Sequence, residues 1–230
     1  MNNTLIMPKT EVTADTGFDI SRYTDFDFVR NKLIYKLINY ERNREKLEFY
    51  PYRRFLDLAV TYCCTFKTPL GDNANIIVTK DHLKYWDITE IDLYELAALN
   101  TPRYFGGRIE PLLTAIKNIS GLEDIPEDGE QEMFLCTNME MFYGASTILY
   151  DDFLKKFASE LGASLIILPS SVHEVILMPD RGGNDYSELL KIVEYVNKTE
   201  VADSEILSGN IYRYDLAQGS IGLIYPASQL

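Results

Sequence analysis

The stretch Ser164–Pro179, SLIILPSSVHEVILMP, gives the strongest structural signal in the chain. The run ASLIIL (163–168) is uncharged on both faces, which is typical of a central strand. The run HEVILM (173–178) is again apolar and β-prone, and the Pro-Ser-Ser-Val between them has the composition of a turn. We therefore predict a core hairpin over residues 163–178, with His173 opening its second strand.

Helical patterns flank this hairpin on both sides. Apolar residues recur at helical spacing across 151–161, and Gly162 follows as a C-terminal cap. After the hairpin, Tyr186–Val196 repeats the helical pattern. Two short strands, Ile211–Tyr214 and Ile221–Tyr225, are predicted to follow it.

The N-terminal half mixes the same two kinds of element. Residues 54–66 and 75–79 predict a hairpin with a long loop, and Leu83–Ile88 reads as a short extended run. The segment 29–41, VRNKLIYKLINYE, fits an amphipathic helix or a strand, because its alternation is imperfect.

One helix has clear end signals. Thr89 is a good N-cap residue, and Asp92 stands three positions later as the acid of a capping box. Asn100–Pro102 are predicted to end this helix. A second short helix is predicted after Pro111, a residue that fits a first helical position.

Strands and helices are thus mixed without regular βαβ crossovers. This order predicts an α+β fold, with an antiparallel or mixed sheet, helices packed on it and the hairpin 163–178 in the core. Residues 1–24 are polar and aperiodic, which predicts a poorly ordered arm. Residues 25–230 are predicted to form a single domain. The acidic run Glu123–Glu132 is the place where an internal boundary would be expected.

Composition narrows the possible partners. The formal charge is 22 − 35 = −13, whereas a nucleic-acid binder needs a basic face. The densest basic patch, at residues 42–54, is interleaved with glutamates, so nucleic acid is disfavoured as a partner. No signal peptide and no apolar run of about 18–20 residues is present, which predicts a cytoplasmic protein without membrane association. The odd number of cysteines lacks a CxxC spacing and predicts buried free thiols.

The most tempting chemical pattern is the run Ser170, Ser171, Val172, His173 and Glu174. Serine, imidazole and carboxylate are the parts of a nucleophilic triad. On a strand, however, His173 and Glu174 would point to opposite faces, so Glu174 could not orient the ring. The interpretation as a turn followed by a strand is favoured.

Three further polar residues, Asn138, Asn100 and Arg103, complete the set of candidate pocket or interaction residues. An enzyme using them with Ser170–Glu174 would require that all of them share one pocket. His82 and His173 lack the HxH or HExxH spacing of a metal site. The glycine-bearing loops lack a phosphate-binding pattern. We predict no metal and no cofactor.

Four segments resemble an uncharacterised bacterial family from gut anaerobes, known only as a domain of unknown function. They are FDFVRNKLIYKLINYERNREKL (26–47), PYRRFLDLAVTY (51–62), ITEIDLYELAALNTPR (88–103) and TN…GASTILYDDFLKKFASELGASLIILPSSVHEVILMP (137–179). The resemblance covers residues 24–216, and the residues before it match nothing. It implies no activity, since none is assigned to the family.

More distantly, the region from strand 74–79 to LPSSVHEVILMPD is similar to a second uncharacterised group of small cytosolic Firmicute proteins. Members of the first family are expected to carry an additional N-terminal segment. A site built partly from such a segment would be incomplete in this chain.

Three functions remain open from the sequence. The favoured hypothesis is a non-enzymatic binding or regulatory module for a protein or small-molecule partner, because no catalytic set converges. The alternatives are a hydrolase-like enzyme with a site near Ser170–Glu174, and an acidic mimic that inhibits a nucleic-acid-binding protein.

Overall fold

A computed structural model of the protein describes residues 4–7, 20–67, 73–120 and 132–225. The strands in these ranges are β1 (Leu5–Met7), β2 (Leu33–Asn39), β3 (Tyr52–Phe55), β4 (Leu58–Lys67), β5 (Asn73–Ile77), β6 (Gly107–Pro111), β7 (Phe134–Thr137), β8 (Ser164–Pro169), β9 (Val175–Asp180), β10 (Ile211–Asp215) and β11 (Ser220–Tyr225). The α-helices are α1 (Phe26–Val29), α2 (Arg44–Leu47), α3 (Lys80–Trp86), α4 (Glu90–Phe105), α5 (Leu112–Ser120), α6 (Phe153–Leu161) and α7 (Tyr186–Thr199). Short 3-10 helices occur at Ile20–Thr24, Arg30–Lys32, Glu41–Asn43 and Gly144–Leu149. No helix among the described residues is long and apolar enough to cross a membrane.

The chain divides into two compact units. One contains Met1–Met7 and Gly107–Leu230, and the other contains Pro8–Gly106. The division therefore falls at Gly106 and not in the acidic run, of which residues 123–131 lie outside the described ranges. That residues 25–230 form a single domain stays a prediction.

The first unit is built on a seven-stranded sheet with the order β1-β6-β7-β9-β8-β10-β11. Every neighbouring pair in it is antiparallel, which confirms the α+β prediction. The predicted core hairpin is β8 and β9, paired from Ser164 with Asp180 to Pro169 with Val175. Every residue of β8 after Ser164 is buried, as expected for an uncharged strand inside a sheet.

Helix α7 covers one face of this sheet. Its Leu189 and Val193 pack with Ile166 of β8, Met178 of β9 and Ile211 of β10. Burial of one such apolar side chain contributes about 1.5–3 kcal/mol to the free energy of folding, because its surface is removed from water.

Helix α6 belongs to the same unit and ends as predicted. Gly162 follows it with φ of 65°, the left-handed conformation that caps helices. Phe157 of α6 is fully buried, and its ring meets that of Phe134 of β7 edge to face, with centroids 4.9 Å apart. This pairing anchors α6 to the strand beside the core hairpin.

The second unit contains a four-stranded antiparallel sheet around β4. Strand β2 pairs along one edge of β4, while β3 and β5 follow each other along its other edge. The predicted hairpin is confirmed as β4 and β5. The ambiguous segment 29–41 contains strand β2, because its backbone groups complete the ladder with the buried β4.

Residues 83–88, predicted as extended, lie mostly in helix α3, so that prediction is wrong. The helix begins because Thr79 and His82 form a capping box, in which the Thr79 N–H donates to His82 Nδ1 over 2.9 Å. Trp86 then donates from its indole to the Tyr23 carbonyl oxygen over 3.1 Å. A histidine in the place of the usual Glu or Gln hides this start signal.

Helix α4 starts at the predicted capping box of Thr89 and Asp92. It does not end at Asn100–Pro102, as predicted, but continues through Pro102 to Phe105. The Thr101 hydroxyl donates to the Ala97 carbonyl oxygen over 2.6 Å and supports this turn. The free energy gained by burying one side of the helix is larger than the cost of the backbone hydrogen bond that Pro102 cannot donate.

Parts of the predicted arm 1–24 have regular structure. Leu5 is buried, and β1 pairs with β6. Tyr23 is buried next to Trp86, with ring centroids 5.5 Å apart. In these two segments a few apolar side chains have partners far along the chain, and the poorly ordered arm 1–24 as a whole stays a prediction. The part of the arm at 8–19 lies outside the described residues.

Candidate functional site

The turn of the core hairpin is the centre of the candidate site. The sequence predicted His173 and Glu174 on a strand, but β9 begins only at Val175, so both residues lie in the turn. Ser171 closes the turn: its hydroxyl donates to Glu174 Oε1 over 2.7 Å and accepts from the His173 N–H over 3.0 Å. These hydrogen bonds within the turn take the place of the inter-strand hydrogen bonds that His173 and Glu174 would have made in a strand.

His173 is held from two sides. Its Nδ1 accepts a hydrogen bond from the Tyr143 N–H over 3.2 Å, and its ring stacks on that of Tyr143 with centroids 5.6 Å apart. Because Nδ1 is an acceptor, the neutral ring carries its proton on Nε2. Nε2 faces Glu205 Oε1 at 3.6 Å.

The loop that presents Tyr143 is organised by Asn138, which is only 1% exposed. Its Oδ1 accepts from the N–H groups of Glu140 and Phe142, and its Nδ2 donates to the Phe142 carbonyl oxygen. Met141 and Tyr143 both have φ of 51°, a left-handed conformation that non-glycine residues seldom adopt. Such strain persists where surrounding contacts fix it, and it is common at functional sites.

Gly144 joins this loop to the hairpin turn at very short range. Thr137 Oγ1 donates to the His173 carbonyl oxygen over 2.7 Å. A Cβ at position 144 would lie 2.5 Å from that oxygen, 2.7 Å from Asn138 N, and closer still to Thr137 Oγ1. Only glycine fits here, because a methyl group would collide with atoms that are already hydrogen-bonded.

A cleft of about 380 Å³ opens beside the turn. Its lining residues are Met141, Ser170, Ser171, His173, Glu174, Val196, Glu200, Val201 and Glu205. The segment after α7 reaches this place because the Val172 N–H donates to the Glu205 carbonyl oxygen over 2.9 Å. The cleft thus combines three carboxylates with three apolar side chains.

The candidate residues from the sequence divide into two groups. Ser170, Ser171, His173 and Glu174 line the cleft, and Asn138 shapes the loop beside it. Asn100 and Arg103 belong to α4, in the unit Pro8–Gly106.

Asn100 has a structural role in that second unit. It is buried and donates to the carbonyl oxygens of Arg30 and Leu33 over 2.8 and 3.0 Å, so it fastens α4 to β2. Arg103 is exposed. Neither residue contributes to the cleft lining.

Sequence reasoning missed Tyr143, Gly144, Glu200 and Glu205 as members of the site. No local pattern marks the two glutamates, since acidic residues are frequent throughout this chain. Gly144 stands within the segment GAST, which has no distinctive turn or motif chemistry of its own.

The cysteines and histidines do not form a reactive group. Burial raises the pKa of the Cys63 thiol to about 11 and that of Cys136 to about 12, so both remain protonated at neutral pH. Among the described residues, no group of three or more His, Cys, Asp and Glu side chains could hold a metal ion. His82 instead caps α3 and stacks on Trp86 with ring centroids 5.4 Å apart.

His82 should make the stability of the protein depend on pH. Burial lowers its pKa below the ordinary value of 6.5, so the unfolded chain binds a proton more readily than the folded one. The free energy of unfolding should therefore fall as the pH drops below about 6.5, until the folded ring is protonated as well. His82→Gln keeps an acceptor at the third helical position and removes this titration.

Urea denaturation at pH 5.5 and 7.5 measures the effect. The wild-type chain should lose more stability between these two pH values than His82→Gln does. Equal losses in both proteins would contradict the prediction.

Comparison with known protein families places most of the chain in one of them. The model of a family described as "Family of unknown function (DUF5688)" matches residues 3–216. The match begins well before residue 24, so the expectation that the first two dozen residues match nothing is wrong. No curated protein and no solved structure matches the chain.

Proposed function

This chain belongs to DUF5688, a family to which no function is assigned, and we propose from the geometry of the chain itself that it is a non-enzymatic binding module. The cleft at the hairpin turn receives a cationic group of the ligand. The observation that carries this proposal is that three carboxylates, those of Glu174, Glu200 and Glu205, line one cleft together with three apolar side chains.

Electrostatics favour a cation in this cleft. No lysine or arginine is among the residues that line the cleft, so the three carboxylates have no permanently charged cationic side chain beside them there. A net charge of −13 adds a long-range attraction for cations and raises their rate of association. Each contact is modest, about 0.2–1 kcal/mol, because a side chain such as Glu205, 47% exposed, remains hydrated.

The three apolar side chains in the cleft favour a cation on a hydrocarbon stem. Met141, Val196 and Val201 offer surface along which the methylene groups of a lysine or arginine side chain can lie. A small inorganic cation would leave this surface unused. The ligand class is therefore a lysine or arginine side chain, or a small molecule that carries an alkylamine.

A hydrolase-like site has less support. The Ser171 hydroxyl is held by Glu174 and by the His173 N–H. Both ring nitrogens of His173 face partners other than a serine, namely Tyr143 N and Glu205. A nucleophile needs a base within hydrogen-bond reach, and this arrangement uses the imidazole to fix the turn.

A hexalysine peptide should bind the protein at low salt, and Glu200→Gln/Glu205→Gln should weaken that binding about tenfold, since two ion pairs of about 0.7 kcal/mol each are lost. Isothermal titration calorimetry measures the dissociation constant. The matched control is Glu95→Gln/Glu160→Gln, which removes the same charge at exposed positions outside the cleft.

The dissociation constant of the control variant should stay within about twofold of the wild-type value, because neither Glu95 nor Glu160 lines the cleft. Equal weakening in both double variants would mean that only net charge matters, and the cleft would lose its proposed role. Absence of hexalysine binding to the wild-type protein would also overturn the proposal.

A further inference from the structure

His173 joins the loop 138–143 to the hairpin turn through one ring nitrogen. Its Nδ1 accepts from the Tyr143 N–H over 3.2 Å, and only a ring without a proton on Nδ1 can accept this bond. The hydrogen bonds of the Asn138 side chain, by contrast, link residues of the loop to one another. This hydrogen bond between loop and turn therefore depends on the protonation state of His173.

Protonation of the ring would reverse this contact. Both nitrogens of an imidazolium are donors, so the Tyr143 N–H would point at a second N–H. On the opposite side of the ring, Nε2 stands 3.6 Å from Glu205 Oε1, whereas a charge-assisted hydrogen bond is about 2.7–2.9 Å long. A protonated ring is therefore drawn toward Glu205 and away from Tyr143.

The backbone of Tyr143 is held in a conformation that it would leave once this bond is lost. Tyr143 has φ of 51° and ψ of 32°, in the left-handed region. An L-residue keeps that conformation only where its surroundings fix it. Without an acceptor at His173, the end of the loop loses one of the contacts that fix it.

The charged and titratable groups around His173 come from three parts of the unit. Glu174 belongs to the turn, Glu200 directly follows α7, and Glu205 lies further along the same segment. The loop contributes Tyr143, whose ring stacks on the imidazole. Three carboxylates thus attract a protonated ring, while the Tyr143 amide repels it.

We infer that His173 is a pH-sensitive switch, whose protonation releases the loop 138–143 from the hairpin turn and adds a positive charge to the cleft. Histidine is suited to this role because its charge changes between about pH 5 and 8. The released loop carries Met141, which lines the cleft. In one respect the inference rests on the proposed function: a cationic ligand should bind more weakly as the pH falls.

Amide hydrogen exchange at Tyr143, followed by NMR on the full-length chain, measures the release. After correction for the intrinsic pH dependence of exchange, its protection factor should fall about tenfold between pH 7.5 and pH 5.5, because one hydrogen bond is lost. The nitrogen resonances of the His173 ring report its protonation in the same sample. An unchanged protection factor would overturn the inference, whether or not the ring has taken up a proton.

His173→Asn separates the acceptor from the titration. The amide oxygen of asparagine can accept in the place of Nδ1 but takes up no proton in this pH range, so the protection of the Tyr143 amide should be the same at both pH values. The chain has two histidines, and His82→Gln is the matched control that removes the other. It should behave as the wild-type protein does, and a tenfold fall in His173→Asn would overturn the inference.

Hexalysine binding tests the consequence for the cleft, because lysine keeps its charge between these two pH values. The wild-type dissociation constant should rise about fivefold from pH 7.5 to pH 5.5, since the protonated ring competes for Glu205, and that of His173→Asn by less than about twofold. Equal rises would overturn the link between the switch and cation binding. If hexalysine binds the wild-type protein at neither pH, the proposed function fails, and the exchange of the Tyr143 amide still decides whether the switch exists.

Discussion

Gly144→Ala should lower the free energy of unfolding by about 3 kcal/mol, at the upper end of the cost of overpacking a core. The added Cβ would lie 2.5 Å from the His173 carbonyl oxygen and 2.7 Å from Asn138 N. Neither atom can move freely, because the oxygen accepts from Thr137 Oγ1 and the nitrogen belongs to Asn138, whose side chain organises the loop that presents Tyr143. The collision must therefore separate that loop from the hairpin turn.

Gly162→Ala is the matched control, because it adds the same methyl group where space is open. A Cβ added at position 162 would have no neighbouring heavy atom within 4 Å, but the backbone φ there is 65°. The cost should be about 1 kcal/mol, which is the penalty of a left-handed conformation for an L-residue. Gly144 does not have a positive φ, so its cost is steric.

Chemical denaturation of both variants separates the two mechanisms. Gly144→Ala should also reduce hexalysine binding, since Tyr143 and Met141 adjoin the site, whereas Gly162→Ala should not. A Gly144→Ala protein as stable as Gly162→Ala would show that the contact between loop and turn is looser than the distances indicate.

Phe157→Ala should lower the free energy of unfolding by about 4 kcal/mol. The side chain is 0% exposed and packs edge to face on Phe134. Its removal loses the free energy gained by transferring the ring from water to the core, and it leaves a cavity against the sheet. Phe49→Ala deletes the same side chain from a position that is 67% exposed. That control should change stability by less than about 0.5 kcal/mol.

The same denaturation curves test the predicted single domain. If residues 25–230 unfold together, tryptophan fluorescence from Trp86 and far-ultraviolet circular dichroism should give one coincident transition in wild type and in Phe157→Ala. A variant in which Trp86 fluorescence keeps its original midpoint would contradict a single domain, because Phe157 lies in the other compact unit.

The α+β fold and the core hairpin could be predicted from local patterns. Strand β8 is apolar from Leu165 onward, and α6 has a complete apolar face with a glycine directly after it. Such signals lie within a few residues of each other, so composition and period are sufficient to detect them. The start of the helix at Thr89 is predictable for the same reason.

Element ends were predicted less well where a side chain acts in an unusual role. Helix α3 begins with His82 in a place where Glu or Gln is expected, and α4 passes through Pro102. In α3 the histidine hides a capping box that is itself local, whereas in α4 the contact of Asn100 with the distant Leu33 outweighs the local preference for an end at Pro102.

Hydrophobic period and turn chemistry are local properties, so most of the strands and helices, the core hairpin and the residues of its turn follow from the amino-acid order alone. What that turn is joined to depends on the folded chain. His173 meets Tyr143 thirty positions earlier and Glu205 on the far side of α7. Tyr143 reaches the turn because the sheet order places β7 beside β9, and Glu205 reaches it because its carbonyl oxygen accepts from the Val172 N–H. No local pattern in an acidic chain can reveal that neighbourhood. Ser170–Glu174, which resembles a row of catalytic residues in the sequence, is thereby one wall of a cleft.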